Sequence, residues 1–118
     1  MSQFISLDQA IAMTTLYRNE NEKILAPEFQ GKNILCRSET FDREVFDTLL
    51  SKPDCKYIRI YYGMDEKLQV HAIIVAANEE NEDILPPKGG VQLPGDGDIG
   101  ENGRRCPDVC PPPSDLNP

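Results

Sequence analysis

Four cysteines and a single histidine are the side chains of this chain best suited to redox or metal chemistry. Cys106 and Cys110 lie four positions apart in RCPDVCPP, so they could share a metal ion, close a short disulfide or act as a redox pair. Zinc usually takes four ligands, and His71 is far away in sequence, which makes zinc a weak candidate. Prolines after both cysteines disfavour a helix that would activate a thiol. We expect two reduced thiols in a tail or docking motif, with a disulfide as the main alternative.

The remaining candidates for chemistry have simpler structural roles. Cys36 and Cys55 stand beside apolar residues and are predicted to be small core residues. His71 has no recognisable nucleophile signature, so we predict a half-exposed, hydrogen-bonded sheet position for it and no role as a general base. We predict no catalytic residue and no cofactor, and an enzyme is the lowest-ranked class. Cys106, Cys110 and His71 stay as weak metal candidates.

Composition divides the chain into two parts. Residues 1–78 carry 11 acidic and 9 basic side chains, whereas residues 79–118 carry 9 acidic and 3 basic ones together with 14 prolines and glycines. Such a segment has too little apolar surface to form a core of its own. We therefore predict a compact domain at residues 1–78 and an acidic Pro/Gly-rich tail at 79–118, extended or wrapped on the domain.

The net charge of −8 narrows the choice of partners and of location. No basic stripe is present to bind phosphates, so we predict no nucleic-acid partner, and an anionic membrane surface is disfavoured for the same reason. No apolar run approaches the length of about 20 residues needed to span a bilayer. The stretch MSQFISLDQ lacks the basic and apolar regions of a secretory signal, which favours a cytoplasmic location. Cysteines are mostly reduced in that compartment.

Two amphipathic patterns predict helices. Ser6 and Gln9 fit a capping box at the start of the first helix, which we place at residues 7–21. The second helix is predicted at residues 41–51, with Thr40 as its N-cap.

Residues 56–77 have the alternating polarity of a β-hairpin. A two-residue turn would place Ile60 opposite His71, whereas a three-residue loop at residues 65–67 places Ile60 opposite Ala72. Because the longer loop brings both apolar sets to one face, we predict that loop and that register.

These elements predict an α+β fold in the order α-β-α-β-β, followed by the irregular acidic tail. Two helices cover one face of a small sheet whose central part is the hairpin at residues 56–77. The first strand is a short apolar run at residues 33–36. If it joins the hairpin in parallel, the crossover through the second helix is right-handed.

The hairpin face turned away from the helices is too apolar to be left to water. Its predicted interaction residues are Tyr57, Arg59, Tyr61, His71, Ile73 and Val75. We predict a non-enzymatic module that binds a protein partner or forms a homo-oligomer through this face and the acidic tail. The alternative is a metal-binding or thiol-redox-responsive module that uses the C-terminal cysteine pair.

The chain also resembles a group of small uncharacterised bacterial proteins with a C-terminal RCPxxCP motif. The segments that carry the resemblance are, in order, SLDQAIAMTTLYR, SETFDREVFDTLL, RIYYGMDEKLQVHAIIV, NEDILP and RCPDVCPP. They cover nearly the whole chain and supply no activity, ligand or partner. The resemblance implies that the tail is an integral part of the protein.

Overall fold

A computed structural model describes residues 3–86 and 97–118 of the chain. Within these residues the protein forms two α-helices, one short 3-10 helix and five strands in two antiparallel sheets. The elements are α1 (Leu7–Glu20), the 3-10 helix Pro27–Phe29, β1 (Ser38–Thr40), α2 (Arg43–Leu50), β2 (Tyr57–Met64), β3 (Val70–Ala77), β4 (Ile99–Gly100) and β5 (Arg104–Cys106). The predicted α+β class is confirmed.

Helix α1 begins at the predicted capping box. The Ser6 hydroxyl accepts a hydrogen bond from the Gln9 amide at 3.1 Å, and the Gln9 side-chain oxygen accepts one from the Ser6 amide at 2.9 Å. The two bonds satisfy N–H groups that have no partner within the helix. No residue of α1 is buried. The prediction that two helices cover one face of the sheet therefore overstated the part of α1 in the core.

Helix α2 supplies the core with its central side chain. Leu49 is 1% exposed and packs with Ile74 and Ala76 of β3. Burying a leucine of this kind stabilises a fold by about 1.5–3 kcal/mol. Asp42 is the N-cap residue of α2, whereas Thr40, the predicted N-cap, is the last residue of β1.

The hairpin has a different register from the predicted one. Strands β2 and β3 pair from Tyr57 opposite Ala77 to Met64 opposite Val70, which leaves a loop of residues 65–69. Asp65 explains the extra length, because its carboxylate accepts hydrogen bonds from the amides of residues 67 and 69 at 2.8 and 3.0 Å. The predicted three-residue loop was therefore wrong. The shift is two residues, so each side chain keeps its predicted face.

The predicted strand at residues 33–36 was also wrong, and so was its parallel pairing with the hairpin. Asn33 has a φ of 57°, in the left-handed region, which interrupts an extended strand. The strand in this part of the chain is β1, and it pairs antiparallel with β5 of the tail, Glu39 lying opposite Arg105.

Residues 97–106 of the tail are part of the folded body. Strand β4 adds to the hairpin sheet beside β3, with Gly100 opposite Ile74. A Cβ atom on Gly100 would lie 2.6 Å from Val45 Cγ1 of α2, so only a glycine allows this close approach. Of the two predicted arrangements, extended or wrapped, residues 97–106 adopt the wrapped one.

Candidate functional site

The two edges of the hairpin differ in how their backbone groups are satisfied, and they are the candidate site. The even-numbered residues of β3 direct their backbone groups away from β2. Three hydrogen bonds establish this: Val70 N to Ile34 O at 2.8 Å, Ala72 N to a Glu39 carboxylate oxygen at 2.7 Å, and Ile84 N to Ala76 O at 2.9 Å.

Further contacts complete the outer side of β3, which we call the covered edge and define by Val70, Ala72, Ile74 and Ala76. Arg105 is 9% exposed, and its guanidinium donates to the Val70 carbonyl at 3.0 Å. The same guanidinium donates to the carbonyls of residues 33 and 34 at 3.0 and 3.1 Å. Separate parts of the chain therefore provide hydrogen-bond partners for the individual backbone groups of this edge.

The outward backbone groups of β2 form no hydrogen bond with another residue in the part of the chain that the structure describes, and Gln3 lines a cavity beside Ile58 and Ile60. Opposed residues of an antiparallel pair direct their backbone groups alike, both towards or both away from each other. The groups of β2 that point away from β3 therefore belong to the open edge, which consists of Ile58, Ile60, Tyr62 and Met64.

Three of the four side chains of the open edge are exposed, whereas Ile58 is half-buried and packs against the core. Tyr62 is 78%, Met64 64% and Ile60 49% exposed. The eight residues of β2 include no acidic side chain, in a chain whose net charge is −8. A long, apolar, uncharged edge of this kind is adhesive towards other strands.

The six predicted interaction residues all lie on one hairpin face. Arg59 is opposite Val75, and Tyr61 is opposite Ile73. Val75 is buried, whereas Tyr61 is 45% exposed, so the face is covered over β3 and accessible over β2. Tyr57 and His71 lie at opposite ends of the same face. The interaction role of these residues remains a prediction.

An ionic cluster occupies part of that face. The Arg59 guanidinium and the Tyr61 hydroxyl both donate to the Asp83 carboxylate, and Arg59 also contacts Asn81. The hydrogen bond from Tyr61 and then the one from Arg59 lower the pKa of Asp83. Asp83 forms a β-bridge with Ala77, so the cluster fastens the turn after β3 to β2. The charge of Arg59 is balanced within the molecule.

His71 joins the hairpin loop to the tail. Its Nε2 lies 2.8 Å from the Asp65 carboxylate, and its Nδ1 is 3.8 Å from the Glu101 carboxylate. The hydrogen bond with His71 is the main cause of the lowered pKa of Asp65. The imidazole thus occupies a hydrogen-bonded sheet position, as its sequence context predicts.

The cysteines do not form a metal centre. Cys106 and Cys110 are joined in a disulfide, so the expected pair of reduced thiols is replaced by the main alternative, while Cys36 and Cys55 are free. Disulfide sulfurs cannot serve as thiolate ligands. Residues 3–86 and 97–118 contain no group of three or more His, Cys, Asp or Glu side chains arranged to hold a metal ion.

A cavity of about 450 Å³ lies between α2 and β4. Its polar lining comes from Asp42, Glu44, Thr48, Glu101 and Asn102. It offers no thiol or imidazole, so it does not bring His71 together with a nucleophile.

The fold and its edges define a small α+β domain with one covered and one open sheet edge. No protein-family model, curated protein or solved structure matches the chain, so its resemblance to a group of bacterial proteins stays a prediction. In the ranges that the structure describes, no helix has the length and apolar character required to cross a membrane.

Proposed function

We propose that the protein associates with a second copy of itself through the open edge, so that one antiparallel sheet runs across both copies. The observation that carries the proposal is the contrast between the two edges of one hairpin. The outward groups of β3 are met by other parts of the chain, whereas those of β2 meet none within residues 3–86 and 97–118. Exposed edge groups are a template for strand addition.

A two-fold axis beside Tyr61 gives a self-complementary register. It pairs Ile60 with Tyr62 of the second copy, and Ile58 with Met64 of the second copy. All four outward-directed residues are then used twice, as an isologous interface requires. Each apolar cross-strand pair contributes roughly 0.2–1 kcal/mol, in addition to the backbone hydrogen bonds.

Charge favours a second copy as the occupant. Most surfaces of a chain with a net charge of −8 repel another copy, but β2 has no acidic residue. Its one cation, Arg59, is paired with Asp83. The open edge is therefore suited to a strand that has no acidic residue and no unpaired charge, and β2 of a second copy is such a strand.

The tail has a definite part in this proposal. By supplying β4, it occupies the edge of the sheet opposite to β2. Strand β4 is two residues long and β2 is eight, so β2 is the edge that can pair over a long stretch, and pairing of β2 with β2 of a second copy closes the dimer. The proposed product is a non-enzymatic homodimer.

Sedimentation velocity over a concentration series tests the proposal. We expect the wild type to form dimers as its concentration rises and Tyr62→Lys to stay monomeric, because the substitution places charges within the paired edge. Met13→Lys is the matched control, since Met13 is 66% exposed on α1, and it should dimerise like the wild type.

The proposal is wrong if the wild type is monomeric up to about 1 mM, where an association worth roughly 4 kcal/mol is half complete. It is also wrong if Tyr62→Lys dimerises as well as Met13→Lys does. Circular dichroism of both variants verifies that each one keeps the wild-type fold.

A further inference from the structure

We propose that the disulfide between Cys106 and Cys110 is a thiol-exchange site, in which Cys110 is modified by low-molecular-weight thiols of the glutathione class. Opening the bond releases the end of the tail and loosens α1. This inference does not depend on the association of two copies through the open edge. It assigns the cysteine pair a specific order of reaction and a structural consequence.

The two sulfur-bearing residues differ sharply in accessibility. Cys106 is 0% exposed and belongs to β5, where it lies opposite Ser38. Its carbonyl also accepts a hydrogen bond from the Arg37 amide at 2.7 Å, so the backbone fixes this residue in the body. Cys110 is exposed and lies outside the strands. An external thiol can therefore reach Cys110 and not Cys106.

This accessibility dictates which bonds form and break. A thiolate attacks Cys110 Sγ, a new disulfide forms between the thiol and Cys110, and the bond to Cys106 breaks. The electron pair of the broken bond leaves with Cys106 Sγ, which takes up a proton from solvent. A second thiolate that attacks the external sulfur of the mixed disulfide leaves Cys110 as a thiol and releases an oxidised thiol dimer.

The free cysteines do not compete well for this chemistry. Burial is the main cause that raises the pKa of the Cys36 thiol, which reduces its thiolate fraction. The Cys55 thiol lies 3.5 Å from the Tyr57 carbonyl and packs against the core. Of the four cysteines, Cys110 is the exposed one, whereas Cys36 and Cys55 are half-buried and Cys106 is buried.

The disulfide constrains the direction of the chain after β5. Within the loop that it closes, the Val109 amide donates to the Arg105 carbonyl at 2.8 Å, and the Asn33 side chain donates to the Pro107 carbonyl at 3.0 Å. Further on, the Leu116 carbonyl accepts a hydrogen bond from the Arg18 guanidinium of α1 at 2.9 Å. Reduction removes the covalent tie that presents Leu116 to α1.

Helix α1 is the element that Leu116 contacts through Arg18, and it has no buried residue of its own. Besides the contact of Arg18 with the tail, the Tyr17 hydroxyl donates to the Cys36 carbonyl at 2.6 Å, and Asn21 donates to the Leu35 carbonyl at 3.4 Å. An element held by so few contacts opens locally at low cost. We expect α1 to open more often once the tail is released.

Peptide mass mapping tests the exchange site on the full chain. The protein is purified without reductant, treated with glutathione, and its free thiols are then blocked at low pH. We expect an intact Cys106–Cys110 bond before treatment and a glutathione adduct at Cys110 after it. An adduct at Cys106, or the absence of the bond in the untreated protein, contradicts the proposal.

Hydrogen exchange tests the structural consequence. We expect amide exchange in α1 to become several-fold faster in the reduced protein and in Cys110→Ser, while exchange in β3 stays unchanged. Arg18→Ala should give the oxidised protein the same faster exchange, and reduction should then add little. The release of α1 is refuted if its exchange is equal in the oxidised and reduced wild type.

Discussion

The two strands of the hairpin have the same length but opposite environments at their outer edges. On the β3 side, Arg105, Glu39 and Gly100 come from other parts of the chain to meet the backbone groups. On the β2 side the outward backbone groups form no hydrogen bond with a described residue. One edge of this hairpin is thus satisfied within the fold, and the other is the edge through which we propose association.

The energetic consequences of the two edges are different. A buried backbone group that loses its partner costs a large part of its desolvation energy, whereas an exposed group keeps its hydrogen bonds to water. Changes at the covered edge should therefore lower the free energy of unfolding. Changes at the open edge should affect association while the monomer stays as stable as before.

The largest expected effect is that of Arg105→Met. The substitution removes the donor for three carbonyl groups and puts an apolar side chain of similar length in its place. We expect a loss of about 2–4 kcal/mol in the free energy of unfolding, measured by urea denaturation. Arg104→Met is the matched control, because Arg104 is exposed and pairs with Asp42 on the surface. Its cost should stay below about 1 kcal/mol. Equal losses in the two variants would show that Arg105 does not anchor the covered edge.

A smaller effect is expected at Glu39, whose carboxylate accepts the Ala72 amide hydrogen bond. Glu39→Ala leaves that amide without its partner, and we expect it to destabilise the fold by about 1–3 kcal/mol. Glu39→Gln keeps an oxygen acceptor in place and should cost less than Glu39→Ala. Thermal or urea unfolding of both variants decides this, and an equal cost would exclude the hydrogen bond as the reason.

At the open edge, Tyr62→Lys should change the stability of the monomer by no more than about 0.5 kcal/mol, because Tyr62 is a surface residue. The same variant should lose dimerisation. Urea unfolding at a concentration where the wild type is monomeric measures the first effect. A large loss of monomer stability would mean that Tyr62 serves the fold as well as the interface.

The smallest effect concerns the pKa of Asp83, which the hydrogen bonds from Tyr61 and Arg59 hold below its ordinary value of 3.8. The stabilisation from these contacts is present above the ordinary pKa and is lost as the pH falls through the lowered value. Tyr61→Phe should raise the pKa of Asp83 towards 3.8, as followed by NMR titration of its carboxyl carbon. An unchanged pKa would remove Tyr61 from this cluster.

Sequence patterns predicted the elements that depend on local signals. Ser6 and Gln9 predicted the start of α1. The alternation of polar and apolar residues at 56–77 predicted the sheet face of each hairpin side chain. The predicted hairpin register was wrong by two residues. A pattern with a period of two residues stays the same after such a shift, so it cannot distinguish the two registers. The loop chemistry of Asp65 made the difference.

The edges of the sheet could not be predicted in the same way. Alternating polarity reports which face a side chain occupies, and it contains no information about which strand lies outermost. The cover of β3 depends on β1 and β5, two three-residue strands that are far apart in sequence. Arg105 stands in a polar tail beside Arg104, where nothing local marks it as the buried member of the pair.

Amide hydrogen exchange of β2 as a function of protein concentration tests the central claim most directly. In the dilute monomer, the amides of Ile60, Tyr62 and Met64 should exchange rapidly, while those of Tyr61 and Gly63 are protected by β3. As the concentration rises and copies pair, the amides of the open edge should become protected. Rapid exchange of those amides at every concentration, or new protection confined to another surface such as α1, would contradict the account.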